Sequence, residues 1–540
     1  QVEGVTGFRH SRMANRAPRP PCGVEFPPGP KNDRSTTDFA KSVWEASFSV
    51  LDKNLAEKVK NERKWRFSYD KYIVSHVQES LKSPNRALTA AKAGINKLHS
   101  SFLFVRGEET MTLAEAMEKI TTHSFHTGVV KGTKPKPINL KLEVPYKGKN
   151  LSGQELADQA QKWADYGTIE QSAADAISKV ALTNEWADLS DQYFVLLGAG
   201  AAMGPFLVLM ALGANVIACD LDRAPIWDRL LKVAKDSCGT LTFPLKQPQS
   251  ELKTDADLAA QAGCNLMTEP PEIAAWVQTL YEGKQLTIGS YVYLDGGNFV
   301  KVSTACDAII NALCRSRKDT AVAFLCTPTD CHVIPKEAHD CAAAAYSSMN
   351  LGNILMMPIR ALSSTMLVNN APKPVLAEDG NPLYYVNGLV VPQGPNYGLA
   401  KRLQHWRAIL ERSMGHIVSS NIAPSTATLS VVKNRQFAWA YDGMPFFKPM
   451  EIFQQETSNA VMAALLINDL RNPKSAANPE VSLSNPLEMF AYNSFHGGVW
   501  RTAYTIGSIG EVSVLIHFIK VLRPILIVLI LLALAYMWFL

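Results

Sequence analysis

The chain has 540 residues, 47% hydrophobic and 19% charged, a balance that excludes a disordered chain and leaves room for more than one domain. A formal charge of +5 is small for that length, and no recognised module supports a nucleic-acid partner. Nine scattered cysteines, an odd number with no C-x-x-C pair, exclude a disulfide scaffold and point to a reducing compartment.

Residues 1–36 are rich in Pro, Gly and Arg and read as an extended arm. Arg9, Arg12, Arg16 and Arg19 fall in a stretch without an acid from Gly4 to Val24, which suits a solvated tail, a targeting remnant or a docking arm. Residue 1 is Gln, so a processed or incomplete chain is expected. Residues 37–190 form a mostly helical N-terminal region: apolar residues recur at helical spacing over Phe39–Leu51 and Leu113–Ile120, and Ser152 caps a helix opening at Gly153. Between them Val129–Gly153 is heavy in Lys, Pro and Gly and reads as an excursion. None of these helices carries a chemical constellation.

From 191 to 472 strands and helices alternate, which predicts an α/β fold: a doubly wound parallel (Rossmann) sheet covered on both faces. Predicted strands cover 193–198, 214–220, 288–294, 320–326, 388–391 and 416–422. Predicted helices cover 203–213, 271–283, 299–316, 337–347, 398–414 and 450–467. The first strand runs into Gly198-Ala-Gly-Ala-Ala-Met-Gly204, and the second ends at Asp220, 22 residues after Gly198. A glycine turn lets backbone approach a pyrophosphate, a helix N-terminus supplies unpaired N–H groups, and a carboxylate at that spacing accepts from ribose hydroxyls. The cluster Cys326, Cys331, His332, His339 and Cys341 fits no zinc spacing, so ordinary packing is expected and no metal site is assigned.

Tyr397 and Lys401 stand at i and i+4 at the start of a late helix, on one face. An ammonium beside a phenol favours the phenolate and brings its proton exchange toward neutral pH.

Over about 191–470 the chain resembles the short-chain dehydrogenase/reductase family. The likeness rests on Leu197–Gly204, Gly213–Asp220, Gly263–Glu272, Tyr397 with Lys401, and Val418–Ala427. It implies a nicotinamide dinucleotide cofactor with Gly198, Gly200, Met203 and Gly204 at the pyrophosphate. It places Asp220 and Arg223 at the ribose of the adenosine, and Asn265 and Leu266 in a third-strand stretch beside adenine. Tyr397 is then the general acid/base, Lys401 reaches the nicotinamide ribose, and the loop after 416–422 closes over nicotinamide. Asp220 favours NAD(H), because a carboxylate repels a 2′-phosphate, while Arg223 keeps NADP(H) open. The chain departs from the family at Leu197 and Ala202, and at Leu294-Asp-Gly-Gly297, where an Asn-Asn-Ala-Gly stretch is expected. No serine lies a dozen residues before Tyr397; Thr327 and Thr329, at the end of the fifth strand, replace it if about 55 residues are inserted.

Residues 473–511 read as a linker and 512–540 as a C-terminal transmembrane helix. Pro524–Leu540 has no charge, and at 1.5 Å per residue spans about 25 Å. Lys520 and Arg523 precede it, which puts the main domain on the cytosolic or organelle-interior (stroma or matrix) face of a membrane. The sequence thus reads as a single-pass, tail-anchored NAD(P)(H)-dependent oxidoreductase that moves hydride between nicotinamide and a lipophilic carbonyl or alcohol. The alternative is a catalytically impaired structural or assembly subunit of a larger membrane complex, which retained the fold and lost the family serine.

Overall fold

The computed structural model describes residues 22–29 and 33–523. Its central sheet takes seven strands in chain order: β1 His126–Lys131, β2 Tyr193–Leu197, β3 Asn215–Cys219, β4 Thr240–Leu245, β5 Leu286–Ser290, β6 Thr320–Cys326 and β7 Val418–Ile422. They lie side by side as β7-β6-β5-β2-β3-β4-β1. β2 to β7 are parallel, and β1 runs antiparallel along β4. The parallel strands follow the doubly wound dinucleotide-binding order, with the direction of winding reversing between β2 and β5. Strands such as Phe194-Val-Leu-Leu197 are buried on both faces, which explains their unbroken apolar runs.

Helices cover both faces. Phe206–Ala211 (α1), Ala224–Lys235 (α2) and Gln455–Arg471 (α5) share one core with Leu156 and Ile177 of two N-terminal helices. Gly297–Ser316 (α3) and Pro395–Ser413 (α4) share the other with Phe39, Trp44, Tyr69 and Ile95. The N-terminal helices are therefore packed into both layers. Trp44 meets Trp406 of α4 at 5.3 Å between ring centroids, and Gly94 lies so close that a Cβ there would stand 2.5 Å from the Trp406 ring. The same interface buries a charged network: Arg407 of α4 holds Asp307 of α3 through two hydrogen bonds of 2.7 Å and Glu411 at 2.8 Å, while His99 reaches Asp307 at 2.6 Å.

Two strands were hidden in the sequence. β4 contains Pro244, which demotes a strand reading, and β1 overlaps a Lys/Pro/Gly-rich stretch. The 263–272 stretch expected as the third strand is a loop leading into the helix Pro270–Gln278. It returns beside β4 after a helical excursion, bridging Leu245 to Ala262. Residues 388–391 are not a strand; the neighbouring strand is Tyr385–Asn387.

The C-terminal anchor is corrected. No helix among the described residues is long and apolar enough to cross a membrane. The helix at 510–523 instead lays Val512 and Ile516 into the core, and His517 and Lys520 pair with Asp442. Pro524–Leu540 lies outside the described residues. The single-pass membrane location and the bilayer contact through 512–540 were inferred from composition alone and do not stand, and the lipophilic substrate inferred from them loses its basis.

Candidate functional site

β2 delivers the glycine turn to the carboxyl ends of the parallel strands, where a doubly wound sheet places its ligands. Gly198 takes φ +86°, and a Cβ on it would stand 2.9 Å from Val292, so glycine is required for both turn and close approach. The Ala202 and Met203 amides have no acceptor among the described residues, whereas those of Gly198, Ala201 and Gly204 bond within the turn or to β3. Helix α1 begins only at Phe206 and is six residues long, so the free amides belong to the turn rather than to a long helix.

Asp220 stands at the end of β3 as expected, but its carboxylate folds back. Oδ2 accepts from the Gly200 amide at 2.6 Å and Oδ1 from its neighbour Leu221 at 2.8 Å. Burial pushes its pKa up, opposed by those two amides and by the charges of Arg229 and Arg223. Arg223 is exposed. Arg229 was not anticipated: it donates to the Gly200 carbonyl at 2.7 Å from one helical face of α2. Asn265 and Leu266 lie close to Asp220, since the Cys264 amide donates to the Asp220 carbonyl at 2.8 Å. There Asn265 caps its own loop through Met267, and Leu266 is buried.

Tyr397 reaches this region from α4, which starts with Pro395 in the first turn behind Gly394. Its hydroxyl faces Thr327 and Thr329, which favour its ionisation and whose own oxygens are 2.8 Å apart. The chain between them forms a closed excursion. Cys331–Val333 pairs antiparallel with Tyr385–Asn387, and the Gly388 amide donates to the Asp330 carbonyl at 2.9 Å. A Cβ on Gly388 would lie 2.3 Å from the Pro328 carbonyl, so only glycine closes this neck. The loop after β5 links the two halves of the site: Val292 abuts Gly198, and the Tyr293 ring meets Tyr397 at 6.4 Å.

Lys401 departs from its expected role. Its ammonium donates to the Leu325 carbonyl at 3.0 Å and to Gln404 at 3.2 Å, and burial lowers its pKa. Burial raises the pKa of Tyr397, against the smaller opposite effect of the two threonines, and Lys401 is not among the leading influences. The phenol is thus held protonated.

No family model matches this chain, and no curated protein matches it. Among solved structures it is similar to a thiolation-reductase di-domain from an archaeal non-ribosomal peptide synthetase, at 11% identity and a TM-score of 0.28, over 86% of this chain and 78% of that one. A likeness that loose carries no argument about the site, which rests on strand order and local geometry.

Proposed function

We propose that this chain is a short-chain-reductase-like oxidoreductase that uses NAD(P)(H) on a carbonyl or secondary alcohol. The observation that carries the reading is the meeting of Tyr397 with Thr327 and Thr329 at the carboxyl ends of the strands, beside the glycine turn. The free Ala202 and Met203 amides, with Gly198, Gly200 and Gly204, suit a pyrophosphate. Asp220 retains unused lone pairs for ribose hydroxyls and favours NAD(H), with Arg223 on its exposed side. A nicotinamide bound there supplies or accepts the hydride. Tyr397 gives its proton to the carbonyl oxygen or takes it back, and a threonine hydroxyl donates to the same oxygen as charge develops.

A second reading, nucleotide binding without turnover in a structural or assembly subunit, is favoured by one observation. Lys401 already donates within the chain, to the Leu325 carbonyl and to Gln404. The full chain is titrated with NADH and NADPH while its melting temperature is followed, then assayed against aldehydes and ketones by nicotinamide absorbance. Binding with turnover supports the enzyme, and binding without turnover supports the subunit. No shift with either nucleotide rejects both.

A further inference from the structure

Beneath Thr327 lies a group of side chains that the chemistry above leaves unused. Asp330, His332 and His405 are each 1% exposed, and one ligating atom from each lies within 4.8 Å of the other two. His332 Nε2 is 2.8 Å from the Thr327 carbonyl oxygen. A carbonyl only accepts, so Nε2 carries the proton and Nδ1 keeps its lone pair; that Nδ1 is buried without a partner. His405 is stranger still. Its ring stacks on Phe490 at 4.2 Å between centroids, and neither of its nitrogens has a partner. Its Nε2 stands 4.0 Å from Asp330 Oδ2. Buried polar atoms are rarely left unpaired, and one unpaired nitrogen from each of two rings beside one carboxylate calls for a common partner.

We propose that Asp330 Oδ2, His332 Nδ1 and His405 Nε2 bind a divalent transition-metal ion, zinc above all. Two imidazoles and one carboxylate match zinc, whereas magnesium and calcium prefer all-oxygen sites. The Thr327 carbonyl fixes the His332 tautomer as ligand-orienting groups do in metal sites. Arg402 orients the carboxylate, its Nε donating to Oδ1 at 3.1 Å and to Oδ2 at 3.0 Å, and leaves Oδ2 a further lone pair. Its charge opposes the ion and limits affinity. The site is buried and supplies three protein ligands, and it ties the Cys331–Val333 neck to α4, the helix that carries both His405 and Tyr397. The inference does not depend on the proposed catalysis.

The full-length chain is purified without chelators, supplied with zinc, dialysed and analysed for metal. About one zinc per chain, whose removal lowers the melting temperature, is expected. His405→Phe, which keeps the stack on Phe490, loses the zinc, while Cys314→Ser retains it. The latter variant tests the other buried group, Cys314, Glu411 and His416. The proposal is overturned by zinc below about a tenth of an equivalent in the unaltered chain. It is overturned equally by zinc retained in His405→Phe, or by loss in Cys314→Ser alone. Should His405→Phe not fold, the cobalt-substituted unaltered chain decides: ligand-field bands without thiolate charge transfer support this site, and a thiolate band rejects it.

Discussion

The hydroxyl of Tyr397 faces Thr327, a residue 70 positions earlier in the chain, because the excursion between them is zipped shut at its neck. That meeting sets a proton carrier beside a donor that can polarise the same substrate oxygen. Tyr397→Phe is expected to lower kcat by roughly 10²–10⁴-fold with nucleotide affinity intact. Thr327→Val and Thr329→Val are expected to lower kcat/KM unequally, and the larger loss identifies the donor. Steady-state kinetics on whichever carbonyl is reduced provide the check, and an unaltered rate in Tyr397→Phe removes the tyrosine from the mechanism.

Asp220 clamps the glycine turn before any ligand arrives. Asp220→Ala strips the acceptor from the Gly200 and Leu221 amides, so a loss of about 1–3 kcal/mol is expected without nucleotide. Urea denaturation of the ligand-free chain measures it. Unchanged stability together with lost NADH binding would assign the carboxylate to the ligand alone.

The parallel sheet was legible because its strands carry unbroken apolar runs punctuated by glycine, and the Thr320–Cys326 strand was read to the residue. Thr327 and Thr329 could be nominated from their place at the end of that strand. Their contact with Tyr397 could not be read, since it depends on the distant pairing of Cys331–Val333 with Tyr385–Asn387. Lys401 illustrates the limit of helical spacing: i and i+4 give a shared face, but the ammonium turns to the Leu325 carbonyl on the neighbouring strand. Arg229 escaped because only the fold carries it back to Gly200. Composition misled at the C-terminus, where the helix at 510–523 uses its apolar face for packing.

His76 links stability to acid. Its Nε2 is 2.7 Å from Ser47 Oγ, whose own proton goes to the Ala90 carbonyl, so the ring donates and is neutral. Burial, helped by the charge of Arg402, lowers its pKa from 6.5 to about 3. Between those values the unfolded chain binds the proton and the folded one does not. Stability therefore falls as pH drops below 6.5 and stops responding to this group near 3. The full effect is on the order of 3–5 kcal/mol. In His76→Phe the slope of unfolding free energy against pH over that range should be shallower, as measured by urea titrations at several pH values. An unchanged slope would mean that His76 does not titrate in this way.

The charge network between α3 and α4 gives the largest expected loss. Burial alone would raise the pKa of Asp307, yet the Arg407 guanidinium and the His99 bond bring it down to about 2. Arg407 also holds Glu411, so one cation serves two buried carboxylates. Arg407→Met preserves much of the side-chain volume and removes that charge, leaving both buried carboxylates without their shared cation. A loss of roughly 3–5 kcal/mol is expected, because breaking a buried pair strands its partners. Replacing the stranded acids as well, in Arg407→Met with Asp307→Asn and Glu411→Gln, should recover part of it, since neutral amides are cheaper to bury than unpaired charges. Urea unfolding of the single and triple variants decides. A triple variant weaker than Arg407→Met would show that the hydrogen-bond geometry of the network, rather than its charge balance, holds the two helices together.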